Sequence, residues 1–331
     1  MLVELVMLAS APLVIAHRGA SGERPEHTLA AYELAIDQGA DFIEPDLVPT
    51  KDGVLVARHE NEISGTTDVA SRPDFADRKR TKTIDGQTVT GWFTEDFTLP
   101  ELKTLKARER LPQLRGTAYD GQFEVPTFAE VLALAKRRKV GIYPETKHPS
   151  YFEAMGKSFD GPLLLELTKA GFTKRKDPVF IQSFEVGNLE RLAGKTKLRL
   201  VQLVGPANEA PADRPGTTYG AMLTPDGLKR ISAYAAGIGP EKSLVIPRNT
   251  TGALTQPSSL VRDAHAAGLV VHPWTFRAEN IFLAAGQRSS ADPKGHGDVR
   301  AEICAFLRAG VDGVFSDFPG EAVAARKACP R

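Results

Sequence analysis

Short apolar runs recur along the chain, and each is followed by polar residues and then by a segment with helical periodicity. The first run reads LVIA at 13–16 and ends at His17, after which residues 28–36 carry apolar side chains at the spacing of a helix. About eight such strand-then-helix units follow one another. This alternation is typical of a parallel α/β fold, and its simplest closed form is a (β/α)8 TIM barrel.

The remaining elements are predicted from apolar runs bounded by glycine, proline and aspartate. Pro45 lies inside one of these runs, although proline cannot donate to a strand ladder and is unusual in a central strand. The further strands are predicted at 41–47, 54–59, 140–147, 179–183, 198–204, 244–247, 269–276 and 311–317. Helices are predicted at 127–138, 163–170 and 302–309, and a further helix ends over 264–268.

Residues 61–125 interrupt this alternation with a polar stretch that contains the aromatic residues Phe75, Trp92 and Phe97. We interpret it as an insertion after the second strand of one barrel domain over 1–331. Since it starts directly after His59, it must leave the barrel at the rim formed by the carboxyl ends of the strands, and connections of this length are usually functional or disordered. The aromatic residues favour a packed cap that walls one side of the pocket. The alternative is a subdomain packed away from the pocket.

Composition excludes several classes of protein. Lys and Arg number 42 and Asp and Glu 41, so the net charge of +1 argues against a nucleic-acid-binding surface. No apolar run reaches the roughly 18–20 residues of a membrane helix, and we expect no stable membrane association. Cys304 and Cys329 could pair, which would suit an oxidising compartment, or could both be free thiols. The oligomeric state is left open.

The first eleven residues, MLVELVMLASA, are apolar and end in an Ala-x-Ala pattern, but they lack the basic start of a signal peptide. They are either the remnant of a signal peptide or the first helix or strand extension of the domain. The expected location is accordingly periplasmic or secreted.

Acidic and basic residues lie at the predicted carboxyl ends of the strands, where barrels carry their chemistry. Glu44 and Asp46 are two residues apart and so point to the same side of a strand, and Glu145 and Lys147 repeat that spacing. Three carboxylates that meet in one mouth require a cation, and oxygen ligands favour Ca²⁺ or Mg²⁺ over Zn²⁺. Arg18 and Lys147 would suit an anionic substrate oxygen.

His17 and His59 lie at the same predicted rim and could act as an acid and base pair, because histidine titrates near neutral pH. With a hard metal and two cations they fit phosphoryl transfer. Each feature also has a plainer interpretation: a strand-end histidine usually only makes hydrogen bonds, and Trp274 could be core packing. The plainer interpretation is kept for His148, His265, His272 and His296.

Several short blocks occur along the chain in a fixed order, and together they resemble the glycerophosphodiester phosphodiesterase family. The resemblance extends from about residue 13 to 319, and the greatest similarity is to a periplasmic bacterial branch. The blocks read HRGA at 17–20, PEHT at 25–28, EPD at 44–46, TKDG at 50–53, HE at 59–60, ETK at 145–147, HPWT at 272–275, GVDG at 310–313 and SDFP at 316–319.

The resemblance implies a barrel enzyme that hydrolyses glycerophosphodiesters, the deacylated phospholipids, to glycerol 3-phosphate and an alcohol. It implies a small-molecule substrate and a divalent cation, with Ca²⁺ expected before Mg²⁺. The implied metal ligands are Glu44, Asp46 and Glu145, the implied acid–base pair is His17 and His59, and the substrate-binding residues are Arg18, Lys147 and Trp274.

Two other functions remain open at this stage. A phospholipase-D-like enzyme acting on intact lipids would share the barrel and the two histidines, and Phe75, Trp92 and Phe97 could form its membrane-facing loop. A non-catalytic phosphodiester-binding protein is the third possibility, although no expected catalytic residue type is missing.

Overall fold

The computed structural model describes residues 11–329. The apolar segment considered as a signal-peptide remnant lies outside these residues, apart from Ala11. The strands are β1 (Leu13–His17), β2 (Phe42–Glu44), β3 (Asp46–Pro49), β4 (Leu55–Ala57), β5 (Arg80–Ile84), β6 (Gln87–Gly91), β7 (Gly141–Ile142), β8 (Glu145–Thr146), β9 (Phe180–Ser183), β10 (Arg199–Val204), β11 (Gly237–Pro240), β12 (Val270–Val271) and β13 (Gly313–Ser316).

Helices alternate with these strands over most of the chain. The α-helices are α1 (Leu29–Asp37), α2 (Leu99–Leu102), α3 (Pro112–Arg115), α4 (Phe128–Arg138), α5 (Pro149–Ala154), α6 (Asp160–Lys169), α7 (Val186–Ala193), α8 (Tyr219–Met222), α9 (Pro225–Ile231), α10 (Leu260–Ala266), α11 (Val299–Arg308) and α12 (Pro319–Ala328). Short 3₁₀ turns cover Val69–Ser71, Pro73–Arg78, Thr94–Asp96, Lys242–Leu244 and Ala285–Gln287.

Parallel strands close into a barrel, which confirms the predicted (β/α)8 fold. β1 pairs with β13 on one side and with β2 on the other, and β8 to β12 follow one another in sequence order. The seam between β12 and β13 is closed by the amide of Asp312, which donates to Val271 O at 2.9 Å, and by that of Phe315, which donates to Pro273 O at 3.1 Å. The carboxyl ends of the strands therefore converge on one rim.

Two prolines divide predicted strands into shorter ones. The strand predicted at 41–47 is interrupted at Pro45 into β2 and β3, and that predicted at 140–147 is interrupted before Pro144 into β7 and β8. Proline has no amide hydrogen to donate, so the ladder breaks at each position. The pairing nevertheless continues across the break, because the Glu145 amide donates to Pro45 O at 2.9 Å. Each pair of short strands thus occupies one strand position in the barrel wall.

The strand predicted at 244–247 is wrong. That apolar run begins within the 3₁₀ turn Lys242–Leu244, and the barrel strand of this unit is β11, whose sequence is GIGP. Its glycines fit the crowded wall: a Cβ on Gly239 would lie 2.6 Å from Leu203 Cδ2, and one on Gly237 would lie 2.5 Å from Val270 Cγ2. A strand with a single apolar side chain gives no hydrophobic periodicity to detect.

The insertion leaves the barrel through a hairpin. β4, predicted as part of 54–59, pairs antiparallel with β3, and the chain then enters the insertion with its own antiparallel pair, β5 and β6. Asp85 and Gly86 join β5 to β6 with φ of 48° and 78°, the left-handed conformation that a type I′ turn requires at both positions. The insertion rejoins the barrel layer at α4.

Threonine caps begin two of the predicted helices and confirm their starts. Thr28 Oγ1 accepts a hydrogen bond from the Ala31 amide at 3.1 Å and so caps α1. Thr127 and Glu130 form a reciprocal capping box at the start of α4. Both helices bury an apolar face, and they contact each other beside the early strands.

Aromatic side chains fill the inside of the barrel. Tyr143 stacks on Phe180 with ring centroids 4.9 Å apart, and Phe315 meets the Tyr143 ring edge-on at 5.1 Å. The Tyr143 hydroxyl bonds His272 Nδ1 at 2.9 Å, and burial lowers the pKa of His272 to about 4. His272 is therefore a hydrogen-bonded core residue, as the plainer interpretation of the sequence predicts.

Cys304 in α11 and Cys329 after α12 form a disulfide bond, which settles the two alternatives in favour of pairing. The bond closes a loop across a sequence separation of 25 residues. We predict that the C304S/C329S variant loses roughly 3 kcal/mol of unfolding free energy, because it removes the loop constraint on the unfolded chain. Urea unfolding measures this loss.

The control for that experiment is reductant. Dithiothreitol should lower the urea midpoint of the wild-type protein and leave that of the variant unchanged. Equal midpoints for the oxidised wild type and the variant would contradict a stabilising role of the bond.

Candidate active site

Strand register brings the predicted site residues together at the carboxyl-terminal rim. His17 at the end of β1 is paired in register with Glu44 at the end of β2. Asp46 in β3 is likewise paired with Glu145 in β8, and Lys147 follows directly after that strand. The i, i+2 spacing points both side chains of a pair to the same side of a strand, and the barrel topology makes the strands that carry the pairs neighbours.

Three buried carboxylates form a cluster suited to a cation. Oxygens of Glu44, Asp46 and Glu145 all lie within 4.8 Å of one another, and each residue is at most 5% exposed. Asp46 Oδ1 and Glu145 Oε1 are buried and both face the Lys147 ammonium, 3.4 and 2.6 Å away. Three buried carboxylates that converge in this way fit a divalent metal with a preference for oxygen ligands.

Burial and neighbouring charges shift the pKa values of the three carboxyls. Burial, with Asp46 and Glu145 as neighbours, raises the pKa of Glu44 well above its usual range. Burial raises the pKa of Glu145 to about 8, against the opposing charge of Lys147. Burial also acts against ionisation of Asp46, but Lys147 and two histidines hold its pKa well below the usual range. A bound cation would favour the ionised form of all three carboxyls, against the effects of burial and mutual repulsion.

Arg18 and Lys147 bring two cationic groups against the cluster. The Arg18 amide donates to Glu44 Oε2 at 2.8 Å, and Arg18 Nε lies 3.3 Å from Asp46 Oδ2. Lys147 Nζ lies 2.6 Å from Glu145 Oε1 and 3.4 Å from Asp46 Oδ1. Arg18 has a φ of 61°, a left-handed conformation that is costly outside glycine and is often found at functional sites.

His17 and His59 are each backed by a carboxylate. His17 Nδ1 lies 2.6 Å from Asp317 Oδ1, and His59 Nδ1 contacts Glu60 Oε1. The pKa of both carboxyls is held below the usual range against the effect of burial, by Arg277 and Arg115 at Asp317 and by His59 at Glu60. An ionised carboxylate can only accept, so Nδ1 carries the proton and the neutral ring keeps its lone pair on Nε2.

Neither histidine is charged at neutral pH in this environment. Burial lowers the pKa of His17 to about 4, with Arg18 acting in the same direction. Burial lowers the pKa of His59 to about 3, with Arg18 and Lys147 adding to the effect. No residue within 11–329 gives a hydrogen bond to Nε2 of either ring. Both Nε2 atoms are therefore available to accept a proton.

His27 is a contributor that sequence reasoning missed. Its Nε2 lies 2.8 Å from Asp46 Oδ2 and its Nδ1 lies 2.7 Å from Tyr32 Oη, and it is fully buried. It therefore fixes one oxygen of a predicted metal ligand. The signal was present in the PEHT block, but nothing local in the sequence distinguishes a histidine that orients a ligand from one that stabilises a loop.

Trp274 lies beside the rim and has one polar anchor. Its indole Nε1 donates to Gly239 O at 2.8 Å, and its ring packs edge-on against Phe184 with centroids 5.7 Å apart. Lys147 Nζ lies 5.7 Å from the centroid of the same Phe184 ring. Trp274 and Lys147 thus both contact the Phe184 ring.

The aromatic residues of the insertion do not face a membrane. Phe75, Trp92 and Phe97 are each at most 8% exposed, Phe75 meets Phe97 edge-on at 5.1 Å, and Trp92 Nε1 donates to Phe75 O at 2.6 Å. They form the core of the insertion, so the suggested membrane-facing loop is wrong. Every helix within residues 11–329 is too short or too polar to span a bilayer.

The fold and the rim together define an α/β-barrel enzyme site that combines a carboxylate triad, two cations and two histidines. The chain belongs to the glycerophosphoryl diester phosphodiesterase family, whose profile matches residues 17–321. It is therefore an enzyme of phosphodiester hydrolysis. The family resemblance seen in the sequence is confirmed, whereas similarity does not single out a periplasmic bacterial branch, since a plant enzyme is among the most similar relatives.

Relatives and solved structures agree on this family. The chain is 40% identical to glycerophosphodiester phosphodiesterase GDPD6 of Arabidopsis thaliana, over 94% of this chain and 85% of that protein. It is 31% identical to the glycerophosphodiester phosphodiesterase of Haemophilus influenzae, over 96% of this chain and 90% of that one. A crystal structure from Agrobacterium tumefaciens has a TM-score of 0.60 at 19% identity and covers 95% of this chain and 99% of its own.

A further structure is an Oleispira antarctica phosphodiesterase in complex with the product sn-glycerol-3-phosphate. It matches with a TM-score of 0.63 at 21% identity and covers 96% of this chain and 97% of its own. At this identity the likeness shows that the two chains share the barrel fold.

Proposed function

We propose that this enzyme hydrolyses small glycerophosphodiesters, such as glycerophosphocholine and glycerophosphoethanolamine, to glycerol 3-phosphate and an alcohol. The observation that carries the proposal is the convergence at one rim of the triad, the Arg18 and Lys147 cations, and the free Nε2 atoms of His17 and His59. Family membership and the names of the relatives support the substrate class.

In the proposed reaction the two histidines exchange protons with the reacting groups. One neutral imidazole accepts a proton at Nε2 from the nucleophile, which is either water or the glycerol hydroxyl of the substrate itself. The other gains a proton at Nε2 when the bound anionic substrate offsets the Arg18 charge that lowers its pKa, and it then donates that proton to the oxygen of the leaving alcohol. The carboxylate behind each ring holds the imidazole in the required tautomer and stabilises the imidazolium form.

Arg18 and Lys147 are proposed to bind the phosphoryl oxygens, with Trp274 forming the apolar side of the pocket. Both cations already lie at the edge of the triad, so an anionic phosphodiester would replace carboxylate contacts with phosphate contacts. Glu44, Asp46 and Glu145 are the residues that would hold a divalent cation, which when bound polarises a phosphoryl oxygen. We propose Ca²⁺ rather than Mg²⁺, because Mg²⁺ is usually held by only one or two carboxylates.

A direct assay tests the proposal. Glycerol 3-phosphate released from glycerophosphocholine is measured by its enzymatic oxidation, and in a parallel reaction the choline released from vesicles of intact phosphatidylcholine is measured. The proposal expects release from the small diester and no cleavage of the vesicles. Cleavage of the intact lipid at a comparable rate would overturn it in favour of a phospholipase-D-like activity.

We further propose that the enzyme works outside the cytoplasm, in the periplasm or as a secreted protein. The disulfide between Cys304 and Cys329 supports this, because such bonds persist mainly in oxidising compartments. Thiol labelling of the protein in fractionated cells tests it: an oxidised pair in the extracytoplasmic fraction is expected, and a reduced pair in the cytosol would contradict it.

The insertion is proposed to restrict the substrate to small headgroups. A cavity of about 240 Å³ lies beside the triad and is lined by Glu145, Lys147, Phe184 and Tyr219 from the barrel side and by Asp85 from the insertion. The tip of the β5–β6 hairpin thus forms part of the wall of this cavity. The geometry favours the cap hypothesis over a subdomain packed away from the pocket.

We predict that a shorter hairpin admits bulkier diesters. Deleting the cross-strand pairs Thr83–Thr88 and Ile84–Gln87 preserves the strand faces and the turn but withdraws the tip. The ratio of kcat/KM for glycerophosphoinositol to that for glycerophosphocholine should rise several-fold. The control variant T81A/T90A removes an exposed hydroxyl pair and keeps the hairpin length. An unchanged ratio in the shortened enzyme would exclude a selective role.

A further inference from the structure

Two arginines of the insertion reach into the rim of the barrel, five residues apart on either side of the start of α3. Arg110 binds two carboxylates at once. Its Nε and Nη2 lie 2.6 and 2.7 Å from the two oxygens of Glu26, and its Nη1 and Nη2 lie 3.0 and 2.5 Å from those of Glu60. Both contacts are bidentate, the geometry in which a guanidinium fixes a carboxylate most strongly.

Arg115 makes a second, more deeply buried set of contacts. Its Nε lies 2.6 Å from Glu279 Oε1, its Nη2 lies 2.7 Å from Asp317 Oδ2, and its Nη1 donates to Ser21 O at 2.8 Å. The side chains of Arg115, Glu279 and Asp317 are at most 7% exposed. The three groups satisfied by this guanidinium belong to the barrel, far from the insertion in sequence.

The carboxylates that these arginines bind are the ones behind the catalytic groups. Asp317 uses its other oxygen to hold His17 Nδ1, and Glu60 holds His59 Nδ1. Glu26 also lies 3.0 Å from Arg18 Nη1. A single carboxylate therefore links each histidine to an arginine of the insertion.

We propose that Arg110 and Arg115 are positioning residues for His59 and His17, so that the insertion completes the acid–base machinery rather than only covering it. The proposal rests on the catalytic roles proposed above for the two histidines. A carboxylate held by a guanidinium fork can adopt few rotamers, and it then fixes the plane and tautomer of the imidazole that it accepts from. Small losses of alignment at a proton-transfer group reduce the rate of the chemical step more than substrate binding.

The competing explanation is a purely structural clamp, in which the same ion pairs only attach the insertion to the barrel. Asp317 also has a barrel partner, since Arg277 Nε lies 2.8 Å from its Oδ2. Loss of Arg115 would therefore leave Asp317 paired but less constrained. Activity alone cannot separate the two explanations, so the experiment needs a readout that depends on the histidines.

The first arm compares single variants. R110M and R115M should each lower kcat roughly 10- to 100-fold, with KM changed by far less, and R110K and R115K should restore part of the loss. The matched control is R78M, which removes an ion pair with Glu101 inside the insertion, away from both histidines. Thermal unfolding confirms folding, and the lysine variants serve where a methionine variant does not fold. Unchanged kcat in the folded variants of both arginines would overturn the proposal.

The second arm combines each arginine variant with each histidine variant. In an H17A background R115M should cause no further loss of kcat, whereas in an H59A background it should still lower kcat by a similar factor. R110M should cause no further loss of kcat in the H59A background and should still lower kcat in the H17A background. Equal losses in both backgrounds would establish the structural clamp instead. If the residual rate of H17A or H59A is below detection, the lysine variants R110K and R115K provide the test instead. Partial recovery of kcat in these variants supports the positioning role, and no recovery contradicts it.

The outcomes also separate this inference from the proposed function. If H17A and H59A retain near wild-type turnover, the proposed acid–base roles fail and the positioning proposal fails with them. If both histidine variants are impaired while R110M and R115M behave like R78M, the proposed function stands and only the positioning role is lost.

Discussion

Replacement of either rim histidine should nearly stop the reaction. H17A and H59A are each expected to lower kcat at least roughly 100-fold, because a general acid or base typically contributes 100- to 10,000-fold. The double variant should lose much less than the product of the two single losses, since the two residues act as a unit. Steady-state hydrolysis of glycerophosphocholine measures all three rates.

A surface histidine provides the matched control for these variants. His265 is exposed, and its Nε2 lies 2.8 Å from Asp312 Oδ2, which directly precedes β13 and so lies at the end of the barrel opposite the rim. H265A should keep wild-type turnover. Near wild-type turnover in H17A or H59A would reject the role assigned to that histidine.

Removal of divalent cations should abolish turnover completely. After chelation and dialysis the enzyme should show only background hydrolysis of glycerophosphocholine, and Ca²⁺ should restore the rate. Because the cation binds the folded state, it should also raise the melting temperature, by an amount equivalent to about 2.7 kcal/mol at a hundredfold excess over Kd. Full activity after exhaustive chelation would contradict the assignment of Glu44, Asp46 and Glu145.

The thermal shift provides an independent test of the same site. E145Q should lose the Ca²⁺-dependent rise in melting temperature, since it removes one of the three converging carboxylates. E185Q is the matched control, because Glu185 is a buried carboxyl in the neighbouring cavity but lies outside the triad. Equal shifts in E145Q and the wild type would place the ion elsewhere.

The rim could be predicted from the sequence because its residues obey local rules. Glu44 and Asp46 are two residues apart at one strand position of the barrel, and Glu145 lies at the neighbouring position, in register with Asp46. Once the strand-then-helix alternation indicates a barrel, the topology alone places such residues at the same end. Pro45 interrupts the ladder without displacing either carboxylate, because the pairing resumes at the Glu145 amide.

The contacts behind the rim could not be predicted, because they depend on long-range packing. Arg115 lies 164 residues from Glu279 and 202 residues from Asp317, and nothing around it in sequence distinguishes it from an exposed arginine. β11 was missed for a different reason. Its glycines are required by close neighbours across the barrel wall, and such neighbours leave no periodic signal in the chain.

The position of β13 between β12 and β1 has a consequence for biosynthesis. The first and last strands of the barrel pair directly, from Leu13 with Gly313 to Ala16 with Ser316. A nascent chain therefore has two unpaired strand edges until its last strand emerges, and exposed edges of this kind promote aggregation. The enzyme should accordingly depend on chaperones or holdases while it is being made, and fragments that end before residue 313 should be insoluble.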